Sequence, residues 1–224
     1  MIKEGLTLVI SPLIALMQDQ VEQLAARDIR ALALHSGMSW QEVLLSMENA
    51  LQGHYKFLYV SPERLISDSF REYLPNLNIS MLVIDEAHCV SQWGYDFRPP
   101  YLRIAEVQEL FNKSLQMVAF TATATPKVKE DIIDKLGLQN PFVFQGDFAR
   151  PNLKYGCINA ENKNVKLVEI CNQIKGSGIV FTNSRREAEI AAELLQSHQI
   201  SADFYHAGLT NKQRSSKQNL WMKN

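Results

Sequence analysis

Short, continuously apolar runs alternate with longer helical patterns along almost the whole chain, and this alternation constrains the fold more than any other feature. The runs are Leu6–Ile10, Ala31–Leu34, Phe57–Val60, 81–84, 117–120, 142–144, 179–181 and 202–205. A strand covered by helices on both faces reads as an unbroken apolar run, whereas a strand with one wet face alternates. Strands of the first kind separated by helices imply a parallel sheet with right-handed crossovers, an α/β architecture. The intervening segments carry helix punctuation. Ser39 with Glu42 forms a capping-box pattern ahead of Trp40–Leu51, and Thr210 with Gln213 repeats it. Thr125 followed by Pro126 opens a helix to about Leu136, which Gly137 ends.

A boundary is expected near 148–152. Pro151 disfavours helix at Arg150, and a new strand is expected over 153–159. The chain therefore divides at the sequence level into units 1–149 and 150–224, the second with about three strands. The 224 residues have room for one large domain or two modest ones, and 46% hydrophobic with 21% charged residues excludes a disordered chain. No apolar run approaches the ~18 residues that span a bilayer, and the first five residues show no secretory pattern, so no membrane partner is expected. Cys89, Cys157 and Cys171 are odd in number with no CxxC spacing. They suit neither a disulfide framework nor a zinc site and point to a reducing, cytoplasmic setting. A net charge of −1 argues against a globally basic coat, so any nucleic acid must be held by local features.

The sharpest chemical signal is the run 81–88, in which an apolar strand delivers Asp85 and Glu86 at its carboxyl end, followed by Ala87 and His88. Open α/β sheets place ligands at that end. Two adjacent acids there are costly without a positive partner, and Mg²⁺ bridging nucleotide phosphates is the usual one. Asp85 is the expected holder of the metal, through water, and Glu86 the group that polarises an attacking water. The bland alternative is a pair of acids capping the next helix.

Downstream, Trp93, Tyr95, Phe97 and Tyr101 fall within nine residues together with Gly94, Arg98 and two prolines. Neither a helix nor a strand fits that composition. Aromatics in an irregular segment can stack on unpaired bases, with Arg98 near a phosphate, or can simply cover a sheet edge. Thr121, Thr123 and Thr125 put hydroxyls at alternate positions after another apolar run, suited to relaying the state of a γ-phosphate; Thr125 is explained by capping alone. Ser11 and Ser61, each before a proline, are expected at helix starts where backbone N–H groups bind phosphate. Ser184 with Arg185 and Arg186, and then His206 with Gly208, are further strand ends in the second unit. His35, His54 and His198 carry no ligand pattern.

In this order, the segments 11–21, 61–65, 85–88, 92–98, 121–124, 148–153, 179–185 and 205–209 resemble the motor core of superfamily 2 helicases, specifically the RecQ family. The stretch 85–99 is its most specific part. DEAH-box RNA helicases share the tetrapeptide but lack the aromatic segment and usually carry Ser at the position of Thr121. The resemblance implies two RecA-like parallel-sheet units, both incomplete, and an ATP- and Mg²⁺-dependent DNA helicase moving 3′ to 5′ in recombination and repair. It implies that His88 and Gln92 link the nucleotide site to the aromatic segment, with Thr121 and Thr123 in the catalytic set. Trp93, Phe97 and Arg98 would couple single-strand binding to hydrolysis, and Ser11, Ser184, Arg185 and His206 would lie along the DNA. The implied partners are single-stranded and forked or partial-duplex DNA, with no small-molecule substrate besides ATP. Tyr95 departs from the family's usual His. The implied setting is cytoplasmic and chromosome-associated, or nuclear in a eukaryote.

A phosphate-binding loop of the form G-x-x-x-x-G-K-[ST] does not occur, since none of the ten glycines precedes a lysine. In the family this loop precedes the strand at Leu6–Ile10, and an arginine-bearing motif follows the last residues seen here. The expectation is a fragment without useful ATPase, with the loop-bearing strand's place vacant beside 81–84 as an exposed apolar edge. The competing expectation is a non-catalytic single-strand-binding remnant, with an RNA helicase fragment third.

Overall fold

The computed structural model describes residues 4–111, 115–146, 150–174 and 176–223. The chain divides into two compact units, Met1–Gln145 and Gly146–Asn224. That division falls four residues before the sequence-level boundary, whose Phe148 and Ala149 lie outside the described residues.

The first unit runs β1 (Leu6–Ile10), α1 (Ile14–Ala25), β2 (Ala31–Leu34), α2 (Trp40–Leu51), β3 (Phe57–Val60), α3 (Pro62–Leu65), α4 (Asp68–Arg71), β4 (Ile79–Ile84), α5 (Ile104–Glu109), β5 (Gln116–Ala119) and α6 (Pro126–Lys135). Single 3₁₀ turns lie at Leu74–Asn76, Ala87–Val90 and Pro99–Arg103. The five strands are all parallel in the order β2-β3-β1-β4-β5. One row of the register crosses the sheet as Leu32, Leu58, Leu8, Leu82 and Met117. The central three are fully buried. They belong to a large cluster with Val43 and Met47 of α2, Phe70 of α4, Ile104 of α5 and Val128 of α6. The opposite face is smaller, with Val9, Tyr59 and Val83 packed on Met17 and its neighbours in α1. Both faces are covered, which is why the strands read as unbroken apolar runs.

The helix signals hold locally. Ser39 caps α2 through a reciprocal box with Glu42, whose carboxyl is held below its usual range by the hydroxyl of Ser39. Thr125 accepts from the Val128 N–H to start α6, and Gly137 beyond its end sits at φ +64°.

Two expectations are corrected. β4 is paired on both sides, by β1 and β5, so no open edge lies beside 81–84. The edges of this sheet are β2 and β5. In addition, 142–144, 153–159, 179–181 and 202–205 join no ladder among the described residues. Apolar composition suits these segments to strands, but a parallel strand exists only with neighbours in register and helices over its faces. Phe144, Tyr155 and Phe181 are instead about nine-tenths exposed.

Among its described residues the second unit contains α7 (Lys163–Gln173), α8 (Arg185–Ser197) and α9 (Asn211–Met222) and no ladder strand. Asn162, Ser184 and Thr210 cap the three helices, the last through the expected box with Gln213. Ala192 and Leu195 of α8 are its buried apolar residues. Among the described residues of the chain, no helix is long and apolar enough to cross a membrane.

Candidate functional site

The carboxyl ends of β1, β4 and β5 meet at Ser11, Asp85 and Thr121. The ladder continues one step past β4, since Asp85 N–H donates to the Ile10 carbonyl at 2.8 Å. Phe120 N–H donates to Ile84 O, and Ala87 N–H donates to Phe120 O, both at 2.8 Å. Between them Glu86 turns through the left-handed region at φ +48°, ψ +45°. This breaks the strand's alternation, so Asp85 and Glu86 are not simply sent to opposite faces.

Each carboxylate is then held separately. Asp85 accepts from Ser11 Oγ at 3.1 Å on one oxygen and from Glu86 N–H at 2.9 Å on the other, while its backbone carbonyl accepts from Tyr101 Oη at 2.9 Å. Glu86 Oε2 lies 3.3 Å from His88 Nδ1. The same ring nitrogen is 3.0 Å from Thr121 Oγ1 and 3.5 Å from Thr123 Oγ1. A proton on Nδ1 would be donated to one of these oxygens; without it, Nδ1 accepts from a threonine hydroxyl. His88 therefore joins the β4 and β5 ends through one ring nitrogen.

Asp85 and Glu86 set two carboxylates side by side, and burial dominates the ionisation of the groups around them. Burial and then the charge of Asp85 push the Tyr59 hydroxyl above its usual range. Burial does the same to Tyr101, and lifts the Cys89 thiol to about 11. Such a site favours a cation. Among the described residues no cluster of three or more His, Cys, Asp or Glu could hold a metal ion.

The segment after Ala87–Val90 leaves this cluster and emerges at the surface. Ser91 is fully buried; its hydroxyl donates to Asp131 Oδ2 in α6 at 2.5 Å and accepts from Trp93 N–H at 3.1 Å. A Cβ at Gly94 would collide with the His88 carbonyl oxygen, so only glycine fits that close approach. Arg98 N–H donates to the Cys89 carbonyl, and its guanidinium pairs with Asp96 at 2.9 Å and reaches Pro12 O at 3.3 Å. Burial disfavours the charged Arg98, but Asp96 outweighs it and holds the guanidinium above its ordinary pKa. Trp93 is 65% exposed and Tyr95 97% exposed, with Phe97 half-buried. Lys127 Nζ of α6 stands 3.4 Å from the Trp93 ring centroid.

The structure thus brings together Ser11, Asp85, Glu86, His88, Thr121 and Thr123, with Gln92, Trp93, Phe97 and Arg98 following directly. Ser11 is a correction. The helix starts at Ile14, and Ser11 is buried, its hydroxyl committed to Asp85 and its N–H to Val60 O. Ser61 likewise is a buried cap of a single-turn helix. Ser184, Arg185 and His206 belong to the second unit. Ser184 Oγ caps α8 by accepting from Glu187 N–H at 3.2 Å. His206 sits 3.1 Å from Glu189 and accepts from Gly208 N–H, while a Cβ at Gly208 would meet the Arg185 guanidinium at 3.1 Å. Sequence reasoning missed Tyr101 as the support of Asp85, and Asp131 and Lys127 as partners of Ser91 and Trp93. Each partner is 16 to 40 residues away, and no local pattern announces such contacts.

The family model of DEAD/DEAH box helicases matches residues 2–132. The ATP-dependent DNA helicase RecQ of Pasteurella multocida is 41% identical over 224 residues, covering 98% of this chain and 35% of that protein. The ATP-dependent DNA helicase RecQ of Bacillus subtilis is 41% identical over 221 residues, with 98% and 37% covered. The chain thus spans about a third of the length of the curated relatives it matches. A solved structure of Mycobacterium smegmatis helicase Lhr bound to ssDNA and AMP-PNP superposes with a TM-score of 0.64 at 20% identity, over 97% of this chain and 32% of that one. That likeness extends to the fold, a RecA-like helicase architecture. With the strand-end carboxylates, the hydroxyl-bearing β5 end and the family match over residues 2–132, the chain belongs to the DEAD/DEAH box helicase family.

Proposed function

We propose that these residues form part of the motor core of an ATP-dependent, RecQ-type DNA helicase, with the nucleotide handled at Asp85–His88 and single-stranded DNA at the aromatic segment. The observation that carries the reading is the junction at Asp85, where β1, β4 and β5 deliver two separately held carboxylates and a histidine bonded to the next strand end. Both Asp85 oxygens already accept hydrogen bonds, which leaves lone pairs suited to ordered water around Mg²⁺ rather than to a bare ion. Bound Mg²⁺–ATP would supply the phosphoryl group and neutralise the charge that develops on it. Glu86 would polarise the attacking water, and His88 would link Glu86 to Thr121 and Thr123. Trp93 and Phe97 stack on bases and Arg98 neutralises a phosphate. Ser184, Arg185 and His206 are proposed as DNA contacts of the second unit in its own right.

Translocation 3′ to 5′, action on forked or partial-duplex DNA in recombination and repair, and a cytoplasmic, chromosome-associated location (nuclear in a eukaryote) complete the proposal. The support is the likeness to RecQ helicases. No glycine of the 224 residues precedes lysine, so the chain by itself is expected to hydrolyse ATP only at background. DNA-stimulated hydrolysis that Glu86→Gln abolishes would refute that expectation. For the DNA reading, fluorescence anisotropy with labelled single strands is the test. Trp93→Ala should weaken binding by about 1–3 kcal/mol, the usual worth of one stacked base. Equal affinity of the variant, or a preference for RNA over DNA, would count against it.

A further inference from the structure

We infer that Lys127 is a gate on the aromatic segment: it covers one face of the Trp93 indole and competes with an unpaired base for that face. The inference rests on the nucleic-acid reading above and adds to it a residue that lies outside the segment, 34 positions downstream.

Three observations meet at this point. The first is distance, with Nζ 3.4 Å from the ring centroid, inside the range where a cation is drawn to an indole face. A base stacking on the same face needs that space. The second is the helix. Lys127 is the second residue of α6, after cap Thr125 and Pro126, and the first turn contains no acid. A cation at this end opposes the helix dipole, so the position is unfavourable by local rules and the ring offsets it. The third is the seat. One turn on, Asp131 accepts from Ser91, whose hydroxyl also accepts from Trp93 N–H. The backbone at Trp93 is therefore tied to α6 while its side chain stays 65% exposed. Asp131 fixes where the indole stands, and Lys127 decides whether its face is open. Because α6 begins directly after Thr121–Thr125, a shift at the β5 end would move the lysine relative to the ring.

The test uses the whole chain with Trp40→Phe and Trp221→Phe, so that Trp93 is the only indole. Acrylamide quenching is measured without DNA, and oligo-dT binding by anisotropy across a salt series. Lys127→Met keeps the side chain's length and removes the cation. It is expected to raise quenching and to tighten oligo-dT binding about two- to fivefold, the range that an exposed cation–π contact corresponds to. Lys127→Arg should restore the parent values of both.

Unchanged quenching in Lys127→Met would overturn the proposal, since the ring would then be uncovered in solution. Weaker binding with a salt slope reduced by about one would also overturn it, making Lys127 a phosphate contact instead. Trp93→Ala, in the otherwise native chain, separates the two levels. If that variant binds DNA as well as the parent, the aromatic reading fails and the competition with it, whatever the quenching shows. If it binds poorly while Lys127→Met binds as the parent does, the aromatic reading stands and the gate alone is refuted.

Discussion

The carboxylate cluster and the aromatic segment are separated by only five residues, yet they are held in opposite ways. Asp85 is bound on both side-chain oxygens and on its carbonyl, and its strand is paired on each side. Trp93 is tied by its backbone to one buried serine and touched by one lysine. The first arrangement fixes charges where reorganisation would be costly. The second leaves an aromatic surface free to exchange partners. One short stretch of chain thus contains both a fixed site and an adaptable one, with Ser91 at the change-over.

The comparison can be tested by substitution. Leu82→Ala empties the fully buried centre of β4 and should destabilise by about 2–5 kcal/mol, read as a shift of the urea midpoint. A loss below 1 kcal/mol would mean that the carboxylates do not stand on a packed strand. Gly94→Ala forces a Cβ onto the His88 carbonyl and should cost about 1–3 kcal/mol in the same measurement, because backbone there must shift. If it proves neutral, the segment is looser than the structure shows.

Tyr101→Phe removes the donor to the Asp85 carbonyl and is expected to cost about 1 kcal/mol while leaving the fold's circular dichroism unchanged. The subtlest effect concerns acid. In the folded chain the Asp131 carboxyl is held below its usual range, first by the Ser91 hydroxyl and then by Lys135. A lowered folded value means that its stabilisation is present above the ordinary carboxylate pKa, about 4, and is lost as pH falls through the lowered value. Ser91→Ala removes the largest cause, so the variant should lose less stability on acidification below about pH 4 than the parent. Identical slopes would show that the hydroxyl does not hold Asp131.

What the residues disclosed in advance was whatever is written locally. β1 to β4 follow from unbroken apolar runs, and α2, α6 and α9 from Ser39/Glu42, Thr125/Pro126 and Thr210/Gln213, all within a few positions of one another. The adjacent acids at 85 and 86 were legible for the same reason. Pairings were not. That β5 lies beside β4 decides which strand has a free edge, and that is a property of the assembled sheet. The runs 153–159 and 179–181 have strand composition but join no ladder among the described residues, because register and neighbours are absent from composition. Tyr101, Asp131 and Lys127 acquire their roles only when chain 16 to 40 residues distant folds against them.

Glu86 has a left-handed backbone that a glycine would adopt with ease and that a β-branched residue would resist. The group proposed to polarise the attacking water therefore stands where its own side chain is a conformational burden of about 1 kcal/mol or more. Selection for robustness alone would drift this position towards glycine, and selection for chemistry would hold the acid in place. Backbone ease and the proposed chemistry are opposed at this one residue, and Glu86→Gly is expected to relax the turn at the expense of the carboxylate.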